Sequence, residues 1–490
     1  MSRRNRSTIK IIIGLCVSAI VFATVAQAQG LPVAAPQTVG MDPAKLAQID
    51  DLVNVDIKDK KLPGAVVLVG HRGKIVFRKA YGNRSLVPTV EPMTVDTIFD
   101  LASLTKVIAT TTSIMILVER GKLRLSDPIG KYIPEIQDDQ VKRVTIQQLM
   151  THVSGFAPDF DLKEKWTGRE GMLRALYKEK LRTPPGVRFV YSDINYITLG
   201  EIVNRLVYDE TGCWGPSHEA FAPTVDCPAD FALRKIFTPL GMRDTRFFLL
   251  TGSIEAAVAD KKLQGSRVAP TENIKGQNSY LGSTYEGNDK TGELILRGQV
   301  HDPTAFRMGG VAGHAGLFST ADDLARFCQM LLNGGTLDGK RIMSAATVAR
   351  MTAPVVVSET GDTRGLGWDI NTAFSSNRGE LFPLGSFGHT GFTGTSVWID
   401  RVSQTFVVFL SNRVHPYGKG DVTPLRAKIA TVVASAIEDT SVEMTRLAES
   451  AYASQVAAQI PKFKENATRA VAGPTGTITM GVPQALPTSG

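Results

Sequence analysis

The residues best suited to chemistry are a serine and a lysine three positions apart, Ser103 and Lys106, which lead into the apolar run 107–118. Because an α-helix turns once in about 3.6 residues, a helix opened by Ser103 places both side chains on one face, with the amine within reach of the hydroxyl. The helix N-terminus adds a partial positive charge and unpaired N–H groups, which favour an anion beside the serine. Such a pair suits acyl transfer.

The spacing alone is weak evidence, since Ser7 and Lys10 also satisfy it. In the alternative interpretation Ser103 is a helix N-cap and Lys106 is a solvated helix charge. Other motifs have to decide between the two.

A second group is Phe189-Val-Tyr-Ser-Asp-Ile-Asn-Tyr196, which follows the turn 183–186. A helix is predicted to begin near Ser192 or Asp193, so Tyr191 stands at an exposed junction. A tyrosine beside a lysine can exchange protons with a serine or with a leaving group. Taken alone, however, Tyr191 is interpreted as a half-buried packing residue.

A third group is Phe387-Gly-His-Thr-Gly-Phe-Thr-Gly394, which leads into a predicted strand. Glycines beside a strand let a ligand approach the backbone closely. The N–H of Phe392 could pair with that of Ser103 as an oxyanion hole. The alternative is an ordinary glycine-rich loop with His389 at its rim.

Two β-hairpins are predicted to hold these groups in place. One joins 65–70 to 74–82, and the other joins 395–400 to 405–411. Between them lie mostly helical patterns and long loops. The expected fold class is therefore α+β: an antiparallel sheet of N- and C-terminal strands flanked by helices, with an inserted, mainly helical subdomain and a cleft at the junction.

The predicted domain limits follow from this pattern. A hydrolase-like domain covers 36–440, with the helical subdomain inserted within about 110–330. A helix is predicted over 422–437. A C-terminal extension, 441–490, is expected to be partly disordered because its end is rich in Gly, Pro and Thr. The segment 271–300, rich in Gly, Asn and Lys, is expected to form a loop near the cleft.

The chain begins with a pattern typical of a secretory signal peptide, residues 1–28. Basic residues at its start precede the apolar run 11–26 and the small-residue pattern Ala26-Gln-Ala28. Cleavage after Ala28 would leave a protein without a stable membrane anchor, periplasmic or secreted. Removing the four basic residues of this segment lowers the formal net charge from +8 to +4 (8 minus 4).

Charge and cysteine usage exclude some classes of function. No Lys/Arg cluster is interleaved with aromatic residues, so no nucleic-acid partner is implied. Cys213 and Cys227 flank a Pro-containing loop and could form a disulfide in an oxidising compartment, with two free thiols as the alternative. Cys328 lies in an apolar helix stripe and is expected to be a core thiol. The histidines lack metal-ligand spacing, so no metal is expected.

Taken together, these groups resemble the serine β-lactamase and penicillin-binding-protein superfamily, in the branch of class C-type β-lactamases, DD-peptidases and β-lactamase-like esterases. The resemblance covers about 64–437. It rests on the three groups above and on three further sequence segments: Gln148-Leu-Met-Thr-His-Val-Ser-Gly155, Phe237-Thr-Pro-Leu-Gly-Met242 and Gly309-Gly-Val-Ala-Gly-His-Ala-Gly-Leu-Phe-Ser319. Within these segments, His152 and His314 are interpreted as structural hydrogen-bonding residues.

The resemblance implies a role for each matching residue. Its catalytic positions fall on Ser103 as nucleophile, Lys106 as the activating lysine and Tyr191. Its substrate-binding and oxyanion positions fall on Phe392, His389, Thr390, Gly391 and Asp193.

Two residues depart from the pattern that the resemblance implies. Asp193 stands where Tyr-x-Asn is usual, so contact with a substrate amide is in doubt. His389 stands where Lys-Thr-Gly is common, so a constant cation for a substrate carboxylate is missing, which suits an uncharged ester better.

The sequence therefore predicts an exported serine hydrolase that works through an acyl-enzyme at Ser103, without a cofactor. The expected substrate is a small ester or a peptidoglycan-type peptide. The alternative is a binding protein for penicillin or cell-wall peptides that is acylated at Ser103 with little turnover. The sequence gives no oligomeric state.

Overall fold

The computed structural model describes residues 30–211, 227–248, 266–275, 279 and 293–471. Its strands, in chain order, are β1 Gly64–His71, β2 Lys74–Ser85, β3 Glu91–Pro92, β4 Phe99–Asp100, β5 Arg246–Phe247, β6 Leu317–Ser319, β7 Thr336–Leu337, β8 Lys340–Arg341, β9 Val355–Val356, β10 Thr363–Arg364, β11 Asp369–Asn371, β12 Phe387–Thr390, β13 Ser396–Asp400 and β14 Thr405–Ser411.

The α-helices of the described residues are Pro43–Lys58, Thr112–Glu119, Asp139–Arg143, Ile146–Met150, Gly168–Lys178, Asp193–Thr211, Cys227–Ala232, Pro303–Arg307, Ala321–Leu332, Ala345–Thr352, Thr423–Ser435 and Val442–Val471. Two π-helical segments, Lys106–Thr111 and Leu233–Phe237, and three 3₁₀ turns, Pro36–Val39, Ile129–Lys131 and Ser375–Arg378, complete them.

A nine-stranded antiparallel sheet forms the centre of the fold, in the order β3-β2-β1-β14-β13-β12-β11-β10-β9. The N-terminal strand β1 pairs directly with the C-terminal strand β14, with Ala65 opposite Ser411. Both predicted hairpins, β1–β2 and β13–β14, are present. The expected α+β class, with N- and C-terminal strands sharing one sheet, is confirmed.

Strand β1 is buried throughout because helices cover both of its faces. Successive side chains point to opposite faces of a sheet. Accordingly, Val66 and Leu68 belong to one buried cluster, while Val67 and Val69 belong to another. The helices Pro43–Lys58 and Thr423–Ser435 cover the second face.

The chain between the two hairpins forms most of the helices and a small sheet of order β4-β6-β5. In this sheet Phe99 lies opposite Ser319, and the N–H of Leu101 donates to the carbonyl of Leu317 at 2.9 Å. Because Leu101 lies two residues before Ser103, this sheet fixes where the segment of Ser103 and Lys106 begins. The domain limits given above stay predictions.

The C-terminal extension begins with the helix Val442–Val471, which the sequence reading did not anticipate. The helix packs along the sheet edge, where the Tyr452 hydroxyl lies 2.7 Å from Thr363 Oγ1 and Gln459 Nε2 donates to the Pro354 carbonyl at 2.9 Å. Covering an edge strand in this way protects its unpaired backbone groups. None of the described helices is both long and apolar enough to cross a membrane.

Several predictions fall outside the described residues: the signal peptide 1–28, Cys213 and the side chain of Cys227, most of 276–292, and the tail 472–490. The disulfide therefore stays a prediction. Cys328 is fully buried in the helix Ala321–Leu332, as expected of a core thiol.

Candidate active site

The nucleophile segment leaves β4 through a tight backbone turn. Ala102 has a φ of 46°, a left-handed conformation that is unfavourable for a residue with a Cβ. The carboxylate of Asp100 stabilises the turn by accepting the N–H groups of Ala102 and His301, each at 2.8 Å. The helical hydrogen bonding begins at Leu104, one residue later than predicted, and Ser103 lies in the turn before it.

Lys106 is fully buried and its ammonium group contacts three acceptors. Its Nζ lies 2.9 Å from Ser103 Oγ, 3.1 Å from the carbonyl oxygen of His314 and 2.7 Å from Asp193 Oδ1. Burial alone would lower the pKa of Lys106, but Asp193 and Tyr191 outweigh burial and hold that pKa above its ordinary value. Lys106 is therefore a charged ammonium at neutral pH, and the solvated helix charge of the alternative interpretation is wrong.

A second buried ion pair lies behind Lys106. The Nε2 of His314 is 2.7 Å from Asp302 Oδ1. Burial would raise the pKa of Asp302, but the neighbouring His314 outweighs burial and lowers that pKa to about 2. Conversely, burial would lower the pKa of His314, but Asp302 outweighs burial and raises it. Each partner thus favours the charged form of the other, and His314, interpreted from the sequence as structural, also supplies the carbonyl that Lys106 contacts.

The side chains of Asp193, Asp302 and His314 could together offer ligands to a metal ion. One ligand atom from each lies within 4.8 Å of the others. The ammonium of Lys106, 2.7 Å from Asp193, already supplies a positive charge there. These side chains therefore already have a cationic partner in Lys106, and a metal ion would have to compete with the ammonium group for Asp193.

Tyr191 immediately precedes the helix Asp193–Thr211, which begins where the sequence predicted. Its ring stacks on His152 with centroids 4.5 Å apart, and Lys106 Nζ lies 5.0 Å from the Tyr191 centroid. The Nδ1 of His152 accepts the N–H of Ser192 at 3.1 Å, and burial, followed by the charge of Arg364, lowers the pKa of His152 well below its ordinary value. A neutral, hydrogen-bonded His152 therefore supports the tyrosine ring.

The glycine-rich turn after β12 packs directly on the nucleophile segment. A Cβ on Gly391 would lie 2.4 Å from the carbonyl oxygen of Leu101, so only glycine fits this position. Thr395 Oγ1 donates to the same carbonyl at 3.0 Å. This packing places Phe392 on the same cavity as Ser103, as an oxyanion hole requires.

The cavity in front of Ser103 has a volume of about 170 Å³. It is lined by Ser103, Tyr191, Arg364, Asp369, Phe374, His389, Thr390 and Phe392. Residues of all three sequence groups thus meet at one site, although Lys106, Gly391 and Asp193 are not themselves among the lining residues.

His389 is a neutral member of this wall. Its Nδ1 donates to the carbonyl of Thr390 at 2.8 Å, which leaves Nε2 as an acceptor that has no hydrogen-bond partner in the described part of the chain. Burial, followed by the charges of Arg364 and Lys106, lowers the pKa of His389 well below its ordinary value. His389 therefore presents a lone pair, and not a cation, to the cavity.

The sequence reading missed three residues of the wall, Arg364, Asp369 and Phe374. The guanidinium of Arg364 pairs with Asp369 at 3.1 Å, and both side chains are buried. Phe374 is 45% exposed at the mouth, with its ring centroid 5.2 Å from that of Tyr191. These residues come from the short strands β10 and β11 and the loop after them, which carry no motif that could have identified them.

Known proteins share sequence and fold with this chain. The family model described as Beta-lactamase matches residues 49–431. A protein of Salmonella enteritidis PT4 (strain P125109), whose provisional name is D-alanyl-D-alanine carboxypeptidase, is 32% identical over 419 residues, covering 80% of this chain and 89% of the relative.

Two solved structures show the same fold. EstCE1, a hydrolase with promiscuous acyltransferase activity, has a TM-score of 0.57 and 21% identity, covering 80% of this chain and 99% of that one. The β-lactamase/D-alanine carboxypeptidase from Pseudomonas syringae has a TM-score of 0.54 and 18% identity, covering 79% and 99%. The chain therefore belongs to the Beta-lactamase family, which confirms the resemblance and the serine hydrolase class expected from its sequence.

Proposed function

We propose that this serine hydrolase is exported, forms an acyl-enzyme at Ser103, and hydrolyses esters or peptidoglycan-type amide bonds. The observation that carries the proposal is the 2.9 Å contact between Lys106 Nζ and Ser103 Oγ at a cavity that Tyr191 and Phe392 also line. A buried amine that contacts a partly exposed hydroxyl is the arrangement that nucleophilic catalysis needs.

In the proposed first step Ser103 Oγ forms a bond to the substrate carbonyl carbon. Lys106 takes the hydroxyl proton and passes one of its own protons to Asp193, so that the lysine stays charged and the carboxylate becomes the acceptor. The carbonyl oxygen becomes an anion held by the N–H groups of Ser103 and Phe392.

In the second step the carbon–leaving-group bond breaks. Tyr191, at the same cavity and next to Lys106, donates a proton to the leaving group and recovers it through the lysine. Water then attacks the acyl carbon by the same route and releases the acid. Thr390 forms part of the cavity wall, and Gly391 lets the turn pack closely against the carbonyl of Leu101.

The charges around the cavity favour an uncharged ester as substrate. His389 is neutral and the charge of Arg364 is balanced by Asp369, so neither supplies an uncompensated cation for a substrate carboxylate. The second candidate is the terminal amide of a peptidoglycan peptide, which the name of the Salmonella relative supports. Export to the periplasm or the medium is supported by the pattern of residues 1–28.

The decisive experiment compares turnover of a short-chain nitrophenyl ester by the mature protein and by Ser103→Ala. Turnover by the wild type and its loss in the variant is the expected result. Ser454→Ala, which removes an exposed serine on the C-terminal helix, is the matched control and should turn over normally. Turnover that survives in Ser103→Ala would overturn the nucleophile assignment.

If no ester is hydrolysed, the same proteins are tested with a peptide ending in D-alanyl-D-alanine and with penicillin. Release of D-alanine would select the carboxypeptidase activity. A stable penicillin adduct on Ser103 without product release would select the binding protein instead.

A further inference from the structure

Arg426 is a buried arginine whose contacts are backbone carbonyls. It lies in the helix Thr423–Ser435 and is 8% exposed. Its Nη2 donates to the carbonyl oxygens of Gly391 at 3.0 Å and Thr395 at 2.8 Å. These two residues are the ends of the turn that carries Phe392.

Burying this cation is costly, and an ion pair does not offset the cost. Within the described part of the chain no carboxylate lies within 4.0 Å of the guanidinium. Burial, followed by repulsion from Arg413, lowers the pKa of Arg426 to about 9, so the side chain is still charged at neutral pH. Because burying a charge that only carbonyl oxygens contact is costly, its presence indicates that the position of those carbonyl groups matters for function.

The carbonyl of Gly391 and the N–H of Phe392 belong to one peptide group. This group is trans, since the cis bonds of the described residues are those before Pro88 and Pro416. In a planar trans peptide the C=O and the N–H point in opposite directions. Fixing the Gly391 carbonyl toward the helix therefore turns the Phe392 N–H away from the helix.

The same turn also packs against the segment that carries Ser103. Gly391 packs against the carbonyl of Leu101, and Phe392 and Ser103 line the same cavity. A hydrogen bond from a guanidinium to the carbonyl also polarises the peptide group and strengthens its N–H as a donor.

On this basis, and resting on the acyl-enzyme function proposed above, we infer that Arg426 is a positioning residue for the oxyanion hole. It holds the Gly391 carbonyl and so aims the Phe392 N–H at the oxygen that becomes negative during acylation. Arg426 itself does not contact the substrate.

The test uses Arg426→Met, which keeps an unbranched apolar stem and removes the guanidinium donors. We expect kcat for the nitrophenyl ester to fall about 10- to 100-fold while KM changes less than about 2-fold, because an oxyanion donor acts mainly in the transition state. The inhibition constant of phenylboronic acid, which forms a tetrahedral adduct with the serine, should rise by a similar factor.

Arg413→Met is the matched comparison. Arg413 Nε donates at 2.9 Å to the carbonyl of Phe392, which belongs to the next peptide group along the turn. Removing it takes an arginine from the same turn but leaves the Gly391–Phe392 peptide in place. We therefore expect a clearly smaller loss of kcat than in Arg426→Met.

Arg426→Lys keeps the cation and some of the donors, so it should recover part of kcat and of boronate binding. It also provides the test if Arg426→Met does not fold, in which case a drop in kcat of about 3- to 10-fold at unchanged KM is expected. A folded Arg426→Met or Arg426→Lys with wild-type kcat and boronate inhibition overturns the inference. Wild-type protein without any Ser103-dependent turnover overturns the proposed function instead.

Discussion

The Nζ atom of Lys106 lies 2.7 Å from Oδ1 of Asp193, so the buried amine beside Ser103 forms an ion pair with a carboxylate that is 23% exposed. The pattern that the resemblance implies usually has a neutral asparagine at this position, where this chain has Asp193. A carboxylate there keeps the lysine charged, and a charged lysine can take the serine proton only by giving one away. Asp193 is therefore better placed to receive a proton than to hold a substrate amide.

Asp193→Asn should accordingly lower kcat/KM for the ester about 100-fold near pH 7, because the amide cannot accept a proton. Loss of the negative charge also lowers the pKa of Lys106, so the variant should become faster as pH rises and the neutral amine forms. The measurement is kcat/KM between about pH 6 and pH 10 for both proteins.

The control for this charge change is Asp139→Asn, an exposed side chain 3.9 Å from Lys142. It should leave both the rate and its pH dependence unaltered. An Asp193→Asn profile that coincides with the wild-type profile would show that Lys106 does not pass its proton to Asp193.

The pair of Asp302 and His314 yields a prediction about stability. Asp302→Asn leaves the buried side chain of His314 without the carboxylate that pairs with it, and breaking a buried ion pair typically costs about 3 kcal/mol. The loss should appear as a lower free energy of unfolding in urea. In a double-mutant cycle the combination with His314→Gln should cost clearly less than the sum of the two single changes. Strictly additive costs would mean that the two side chains do not stabilise each other.

The local part of the site could be predicted from the sequence. Ser103 and Lys106 are one helical turn apart, and β1–β2 and β13–β14 are hairpins between sequence neighbours, so short spacings determined them. Arg426 could not be found in this way. Its acceptors are backbone carbonyls 35 and 31 residues away, which have no side-chain signature.

The C-terminal helix, by contrast, did have a signal that was overlooked. Tyr452, Val456, Ile460 and Phe463 recur at helical spacing, and they lie on the face that packs against the rest of the protein. Asp193 lies at the predicted start of its helix, but its ion pair with Lys106 was not predicted, because a spacing on one helix does not say which charge faces it from another element.

Phe374 gives a prediction about substrate choice. Its ring forms part of the cavity mouth, and its centroid lies 5.2 Å from that of Tyr191. Phe374→Ala should raise KM for aryl esters about 5-fold, in line with the loss of an aromatic contact, and should affect small alkyl esters less. Leu381→Ala, another exposed apolar residue at 55% exposure that is not among the lining residues, is the control and should leave both KM values unchanged. Equal effects on both ester classes would rule out an aromatic contact.

Asp323 gives a prediction about pH and stability. Its carboxyl group accepts the N–H of Asp244 and the hydroxyl of Thr245, each at 2.8 Å, and burial raises its pKa from 3.8 to about 6. At a pH between these two pKa values, the Asp323 carboxyl group keeps its proton in the folded chain but has lost it in the unfolded chain. The free energy of unfolding should therefore decrease as pH rises from about 4 to about 6, by up to about 3 kcal/mol from this group.

Asp323→Asn isolates that effect, because the amide keeps an acceptor and carries no charge at either pH. The free energy of unfolding of the wild type minus that of the variant, measured in urea, should be largest near pH 4 and smaller by up to about 3 kcal/mol at pH 7. The other titrating groups are common to both proteins and cancel in this difference. A difference that stays constant, or that grows with pH, would show that Asp323 is ionised in the folded protein already at pH 4.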